Sequence, residues 1–193
     1  MRIFLAGATG VLGRRLTSLL LADGHVVVGM TRSPERCALL TDLGAEAVVC
    51  DVYDAVALAA AVFAAAPDVV MHQLTDLPDD VTEVASFSAA NARIRREGTQ
   101  NLLAAAATAG VRRVFAQSVA WQLAGDAGEA VADMERMVLE ASGVVLRYGQ
   151  FYGPGTYHPS DPPPAPSIHV DDAASRTCAA LAMTSGVLTI TDG

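Results

Sequence analysis

Hydrophobic and polar positions along this chain fall into two textures. Short, nearly unbroken apolar runs, rich in valine and bounded by Gly, Asp or Pro, occupy 2–6 (RIFLA), 25–30 (HVVVGM), 46–50 (EAVVC), 68–72 (DVVMH), 112–118 (RRVFAQS), 143–148 (GVVLRY) and 186–191 (GVLTIT). Runs of this length and composition predict strands buried on both faces. Between them lie longer stretches with helical patterning, which predict helices over 11–22, 34–43, 54–65, 82–109, 129–141 and 171–183. Strands alternating with helices predict an α/β fold, a doubly wound parallel sheet of about seven strands covered on both faces. No internal repeat is visible, and 193 residues, 52% of them hydrophobic, suit one domain over 1–193 with a substantial core.

One segment departs from the rhythm. Residues 153–167, GPGTYHPSDPPPAPS, are dense in proline and glycine. Proline continues neither a helix nor a central strand, so a loop is expected. It is either a disordered linker or a lid, since it leaves the end of a strand, where such sheets bind ligands.

Composition narrows the partners. A net charge of −8 argues against nucleic acid, whose phosphates need a basic face. Cys37, Cys50 and Cys178 are scattered and form neither a zinc motif nor a disulfide framework, which points to a reducing cytoplasm. The N-terminal MRIFLAG runs into a glycine loop too early for a signal peptide, and the longest apolar stretch, 55–66, falls short of the ~20 residues that cross a bilayer. A small molecule is the expected partner. All thirteen basic residues are arginine, so no step that needs a lysine ammonium or a Schiff base can run here.

The sequence GATGVLG (7–13) follows the first strand and opens the first helix, the context that makes a glycine pattern informative. Gly7 permits a tight turn, Gly10 lets backbone amides approach a pyrophosphate, and Gly13 lets the helix pack close to the sheet. The helix N-terminus then faces the phosphates with its partial positive charge. Thr9, Val11 and Leu12 complete this loop, and Gln73 and Leu74, just past the fourth strand, are expected to line the same cofactor. The second strand ends with Thr31 and Arg32 where an NAD-binding site would carry an acid. An arginine there can stack on adenine and pair with a 2′-phosphate, and Arg14 adds a second charge, so NADP(H) is the expected cofactor. Asp51, in CDV at the end of the third strand beside Val52, either accepts from the adenine amino group or serves as a turn or cap aspartate.

These pieces, with DVVMH, EGTQNLLAAAATAGVRRVFAQS, VVLRYGQFYGPG and IHVDDAA in this order and spacing, give the chain a resemblance along nearly its whole length. It resembles the extended or atypical short-chain dehydrogenase/reductases, the NAD-dependent epimerase/dehydratase family. The resemblance implies a seven-stranded Rossmann sheet with a substrate region after the sixth strand. It implies that Ser118 stands at the family's catalytic serine or threonine position; read by itself, Ser118 agrees, a hydroxyl at the carboxyl end of a buried strand in the expected crevice, with a strand-end serine bonded to backbone as the lesser alternative.

The chain departs from the family in two ways. The family carries a Tyr-x-x-x-Lys pair on the helix after this serine, eight and four residues before a glutamate. Registering that glutamate on Glu135 puts Ala127 and Val131 at the two positions, and the absence of lysine means that no shift of register restores the pair. The lysine would lower the tyrosine's pKa and make it the general acid/base, so the usual redox mechanism is not available as such. Tyr148 and Tyr152 are the candidates to donate a proton instead, with Tyr157 behind them. His72, His158 and His169 read as structural, and Trp121 as pocket wall or core. The second departure is size: residues 149–168 stand in place of a fuller substrate domain. Either the pocket is open, or a second subunit closes it, as in a homodimer. An oxidoreductase or epimerase/dehydratase-like enzyme acting on a small organic substrate by a non-standard acid/base mechanism is the leading reading. A non-catalytic NADP(H) sensor and a non-redox cyclase or isomerase are the alternatives.

Overall fold

A computed structural model describes residues 1–192. Seven parallel strands form the main sheet: β1 (Arg2–Ala6), β2 (Val26–Thr31), β3 (Glu46–Val49), β4 (Val69–His72), β5 (Val114–Val119), β6 (Val144–Tyr148) and β9 (Gly186–Ile190). Their order is β3-β2-β1-β4-β5-β6-β9, so the winding reverses between β1 and β4. That reversal opens a crevice above the carboxyl ends of these two strands, where doubly wound sheets bind their ligands. The α/β doubly wound architecture expected from the sequence is the one observed.

Strand alternation splits the core into two layers. Ile3 and Leu5 of β1 face one side of the sheet, with Leu12, Leu16 and Leu20 of α1 (Val11–Ala22) and Ala173 and Ala174 of α7 (Val170–Ala179). Phe4 and Ala6 face the other, with Leu58 and Val62 of α3 (Ala55–Ala65) and Leu102, Ala105 and Ala106 of α5 (Thr99–Thr108). The inner strands β1, β2, β4, β5 and β6 are largely buried on both faces, which is why they read as unbroken apolar runs, whereas the edge strands β3 and β9 are partly exposed.

Four regions differ from expectation. The segment 34–43 is a 3₁₀ turn (Pro34–Arg36) followed by the short helix α2 (Cys37–Thr41). The helix expected over 82–109 is a rod of changing pitch: a 3₁₀ stretch (Val81–Phe87), α4 (Ser88–Arg93), a π-helical turn (Ile94–Gly98) and then α5. Helix α6 (Gly125–Glu140) begins four residues before its expected start, from a left-handed Gly125. Residues 149–168 are not wholly loop: β7 (Gln150–Tyr152) and β8 (Ser167–His169) pair in parallel beside the main sheet.

Candidate functional site

The glycine loop closes the carboxyl end of β1. A Cβ on Gly7 (φ +88°) would lie 2.5 Å from the Gln73 carbonyl oxygen, and one on Gly13 would lie 2.1 Å from that of Gly7. Both hydrogens are therefore required by the fold itself. Gly10 differs: it is exposed, and a Cβ there would meet only the Gly7 carbonyl oxygen, at 3.3 Å. It is also the N-cap of α1 and supplies no side chain to the first-turn amides, and no acidic residue stands in that turn. The amides of Val11, Leu12 and Gly13 are thus directed at open space, beside a half-buried Thr9, and fit a phosphate of a dinucleotide.

On the β2–β3 side, Thr31 is buried and its hydroxyl accepts the Ser33 amide, shaping the turn that presents Arg32. The Arg32 side chain is 63% exposed and its Nη2 donates to Asp76 Oδ1 at 3.0 Å. Asp76, in the segment after β4, went unnoticed in the sequence. Its amide donates to Asn91 Oδ1, so it is held in place from both sides. Arg14 lies on the exposed side of α1 and lines an outer groove with Leu39, Asp42 and Leu43; Arg32 does not border that groove. Asp51 Oδ1 accepts the Tyr53 amide in a local turn, while Asp54, not Asp51, caps α3. Val52 is packed in the core with its carbonyl bound by Asn101.

At the end of β4, His72 is buried. Its Nδ1 accepts the Leu74 amide, so Nε2 carries the proton and donates to Thr99 Oγ1 at 3.0 Å. Burial, reinforced by the nearby Arg95 guanidinium, pushes its pKa down to about 4, leaving it neutral and structural. Gln73 is buried, with Nε2 3.4 Å from the Tyr148 hydroxyl and Oε1 without a partner. Tyr148 is 2% exposed and its hydroxyl shares a 2.7 Å hydrogen bond with Thr177 Oγ1. Burial raises its pKa far above that of an ordinary phenol. The expectation that Tyr148 donates a proton to substrate is overturned by this enclosure.

Ser118 is corrected in the same way. It is 4% exposed, and its hydroxyl donates to Glu135 Oε1 at 2.5 Å. The same carboxylate takes two hydrogen bonds from Arg147, at 2.9 and 2.5 Å. Burial alone would raise the Glu135 pKa, but the bonds from Arg147 and Ser118 outweigh it and hold the group below the usual carboxylate range. Ser118, Glu135 and Arg147 therefore tie β5, α6 and β6 together. The residues that follow β5, among them Trp121 and Gln122, line a cleft of about 510 Å³ with Val131 and Ala132 of α6, which reaches down to Glu135 and Arg147 on the Ser118 side of the sheet. Trp121 is pocket wall. Ala127 and Val131, half-buried on α6, bring no acid to this cleft, and the ionised Glu135 does not replace one.

Tyr152 is half-buried and packs edge-on against His169, their ring centroids 5.1 Å apart. Burial, with Asp192 and Asp172 nearby, raises its pKa, so it is no base near neutral pH. His169 caps α7 through Asp171, as a structural histidine would. The Pro/Gly-rich segment is docked and does not hang free: Arg15 Nη2 donates to the Pro154 carbonyl at 2.8 Å, and the Tyr157 hydroxyl donates to the Pro78 carbonyl. Its anchors lie on the first turns of α1 and on the segment after β4, so it spans the crevice between them.

The sequence comparisons agree with this geometry. Residues 3–137 match the model of the NAD dependent epimerase/dehydratase family. A 3-diazoavenalumate denitrifying reductase from a Streptomyces species is 37% identical, the alignment covering all of this chain and 76% of that protein. The fold matches the UDP-Glc/GlcNAc 4-epimerase of Campylobacter jejuni with a TM-score of 0.83 at 17% identity, over 99% of this chain and 78% of that one. It matches the Thermus thermophilus UDP-glucose 4-epimerase, solved in complex with NAD, with a TM-score of 0.82 at 18% identity, over 100% and 78%.

Proposed function

The chain belongs to the NAD dependent epimerase/dehydratase family, and from that premise we propose that it is an NADP(H)-dependent reductase whose substrate accepts hydride without a proton from the protein. One observation supports this reading: the first turn of α1 carries no side-chain cap and no acid, in a chain that has no lysine and whose expected acid/base positions are Ala127 and Val131. Two hydroxyls that could substitute are engaged elsewhere, Ser118 by Glu135 and Tyr148 by Thr177, and the Tyr152 ring packs against His169.

When bound, NADPH supplies a hydride. The chain's own residues do the rest: the amides of Val11, Leu12 and Gly13 hold the pyrophosphate, Asp51 faces the adenine, Arg32 exchanges Asp76 for the 2′-phosphate, and Trp121 and Val131 present an apolar wall to the substrate. Such a site suits an electrophile that carries its own leaving group. The Streptomyces relative is, by its name, a denitrifying reductase of a diazo compound, and a diazonium-bearing organic acid fits the requirement here. Hydride adds to the carbon, the C–N bond breaks with its electron pair leaving as N₂, and no proton is consumed.

The test is NADPH oxidation and N₂ release with 4-carboxybenzenediazonium, set against NADPH oxidation with benzaldehyde. Turnover of the first and near-inertness with the second is expected. Fast aldehyde reduction with a bell-shaped pH profile would overturn the reading, since it requires a tuned acid.

A further inference from the structure

Three arginines follow one another closely in 93–96, and two are paired. Arg93 binds Glu97 and stacks over the Tyr53 ring, 3.9 Å from its centroid. Arg96 binds Asp126 at 2.7 Å and Asp133 at 2.8 Å on α6. Arg95 is the most buried of the three, at 8% exposure, and has neither an ion pair nor a hydrogen bond among the described residues. Most of the side chain is buried while its nitrogens still reach solvent, and a largely desolvated guanidinium without an anion is costly, so its retention calls for a ligand that can approach from that side.

Its place in the fold says where that ligand lies. Arg95 is on the π-helical turn, four residues before Thr99, whose hydroxyl takes the His72 hydrogen bond at the end of β4. Helix α5 runs antiparallel to β4, because its far end leads back to the start of β5. Residues before Thr99 therefore stand above the strand ends, and the spacing of four puts Arg95 on the face that Thr99 turns to the sheet. This is the β4 side of the reversal point, away from the loop that receives the pyrophosphate. The π turn widens the helix at this point, a feature that recurs at functional sites. Burial lowers the Arg95 pKa, and its charge is felt by His72, in keeping with this placement.

We infer that Arg95 is an anion-binding residue of the substrate site and takes the carboxylate of an organic acid. The inference rests on the reductase reading for the identity of the site, and a planar fork of donors suits a carboxylate better than a point charge would. Arg95 is a specificity residue in this account and takes no part in bond making.

The test is equilibrium binding, which needs no turnover. Protein saturated with NADP⁺ is titrated with cinnamate and with cinnamamide, in the unmodified chain and in Arg95→Gln and Arg95→Met. Cinnamate should bind at least tenfold more tightly than cinnamamide, and either substitution should abolish that preference while the affinity for NADP⁺ stays within about twofold. The thermal midpoint of Arg95→Met should rise by a few degrees, because an uncompensated charge is removed. A purely structural arginine would give a fall in both variants and would overturn the inference. So would the absence of any preference for the carboxylate, or a loss of NADP⁺ affinity on substitution, which would assign the anion to the cofactor. Failure of the unmodified chain to bind NADP⁺ at all would sink the reductase reading instead, and is seen before any cinnamate is added.

Discussion

The two sides of the crevice are built from different materials. On the β1 side the site is backbone: amides of Val11, Leu12 and Gly13 and three glycines, two of which have no room for a Cβ. On the β4–β6 side it is side chains, and there the expected register puts an alanine and a valine at the family's tyrosine and lysine positions. A backbone site is bound up with the packing of helix on strand, so losing it costs the fold. A side-chain site can be emptied with little penalty, because Ala127 and Val131 are half-buried on an otherwise sound helix. Binding and chemistry can therefore diverge within one domain.

The sharpest way to break this comparison is inside the glycine loop. Gly13→Ala should prevent folding, seen as loss of a cooperative thermal transition, since its Cβ would overlap the Gly7 carbonyl. Gly10→Val should keep the fold and lower NADPH affinity by roughly a hundredfold or more, about 2.7 kcal/mol. Retained affinity would mean that the phosphates lie elsewhere. Acid should act next most strongly, through the β4 side. His72 is neutral with a folded pKa of about 4, below its unfolded value, so the unfolded chain takes up the proton first. Stability should be complete above pH ~6.5 and fall as the pH drops towards 4, by about 3 kcal/mol at most. Denaturant melts across that window, compared with His72→Gln, would check it; equal slopes would refute it.

Restoring chemistry to the side-chain half is the constructive counterpart. Ala127→Tyr with Val131→Lys should raise NADPH oxidation with a small aldehyde about tenfold, a fraction of the 10²–10⁴ that general acid catalysis supplies when fully built. No rise would show that the helix register misplaces the pair. Cofactor choice probes the seam between the halves. NADPH should bind at least tenfold more tightly than NADH, about 1.4 kcal/mol. Arg32→Asp should erase that gap, and Asp76→Asn should widen it by releasing the guanidinium; equal affinities in the unmodified chain would remove the idea. The smallest effect is expected at Ser118. Ser118→Ala should cost about 1 kcal/mol of stability through the lost bond to Glu135 and leave turnover nearly unchanged. A large fall in turnover without a fall in stability would return Ser118 to the chemistry.

Strands, their order of appearance and the glycine loop were legible because each is written locally, in apolar runs and in glycines with a fixed spacing. The missing pair was legible too, as an absence of lysine. Ser118 was not: a serine at a strand end reads as free until Glu135 of α6 and Arg147 of β6 close on it, and nothing local in the sequence announces those partners. The same holds for Tyr148, whose strand end looks exposed until Thr177 arrives from α7. Arg95 hid in IRREG, which reads as a solvated charge run. A signal was present in the four-residue spacing of Asn91, Arg95 and Thr99, which continues through Leu102 and Ala106 as the inward stripe of the rod. The π turn blurred it by adding a residue to the repeat.

The docked segment 153–166 has a consequence for timing. It is fastened at Pro154 by Arg15 and at Pro78 by Tyr157, so anything as long as a dinucleotide must enter or leave by unfastening at least one end. Under the proposed reductase reading, hydride transfer to a reactive electrophile waits for no proton. The slow event in such a cycle would then be mechanical, the opening of a strap held by a few hydrogen bonds, with throughput set by how readily spent cofactor escapes.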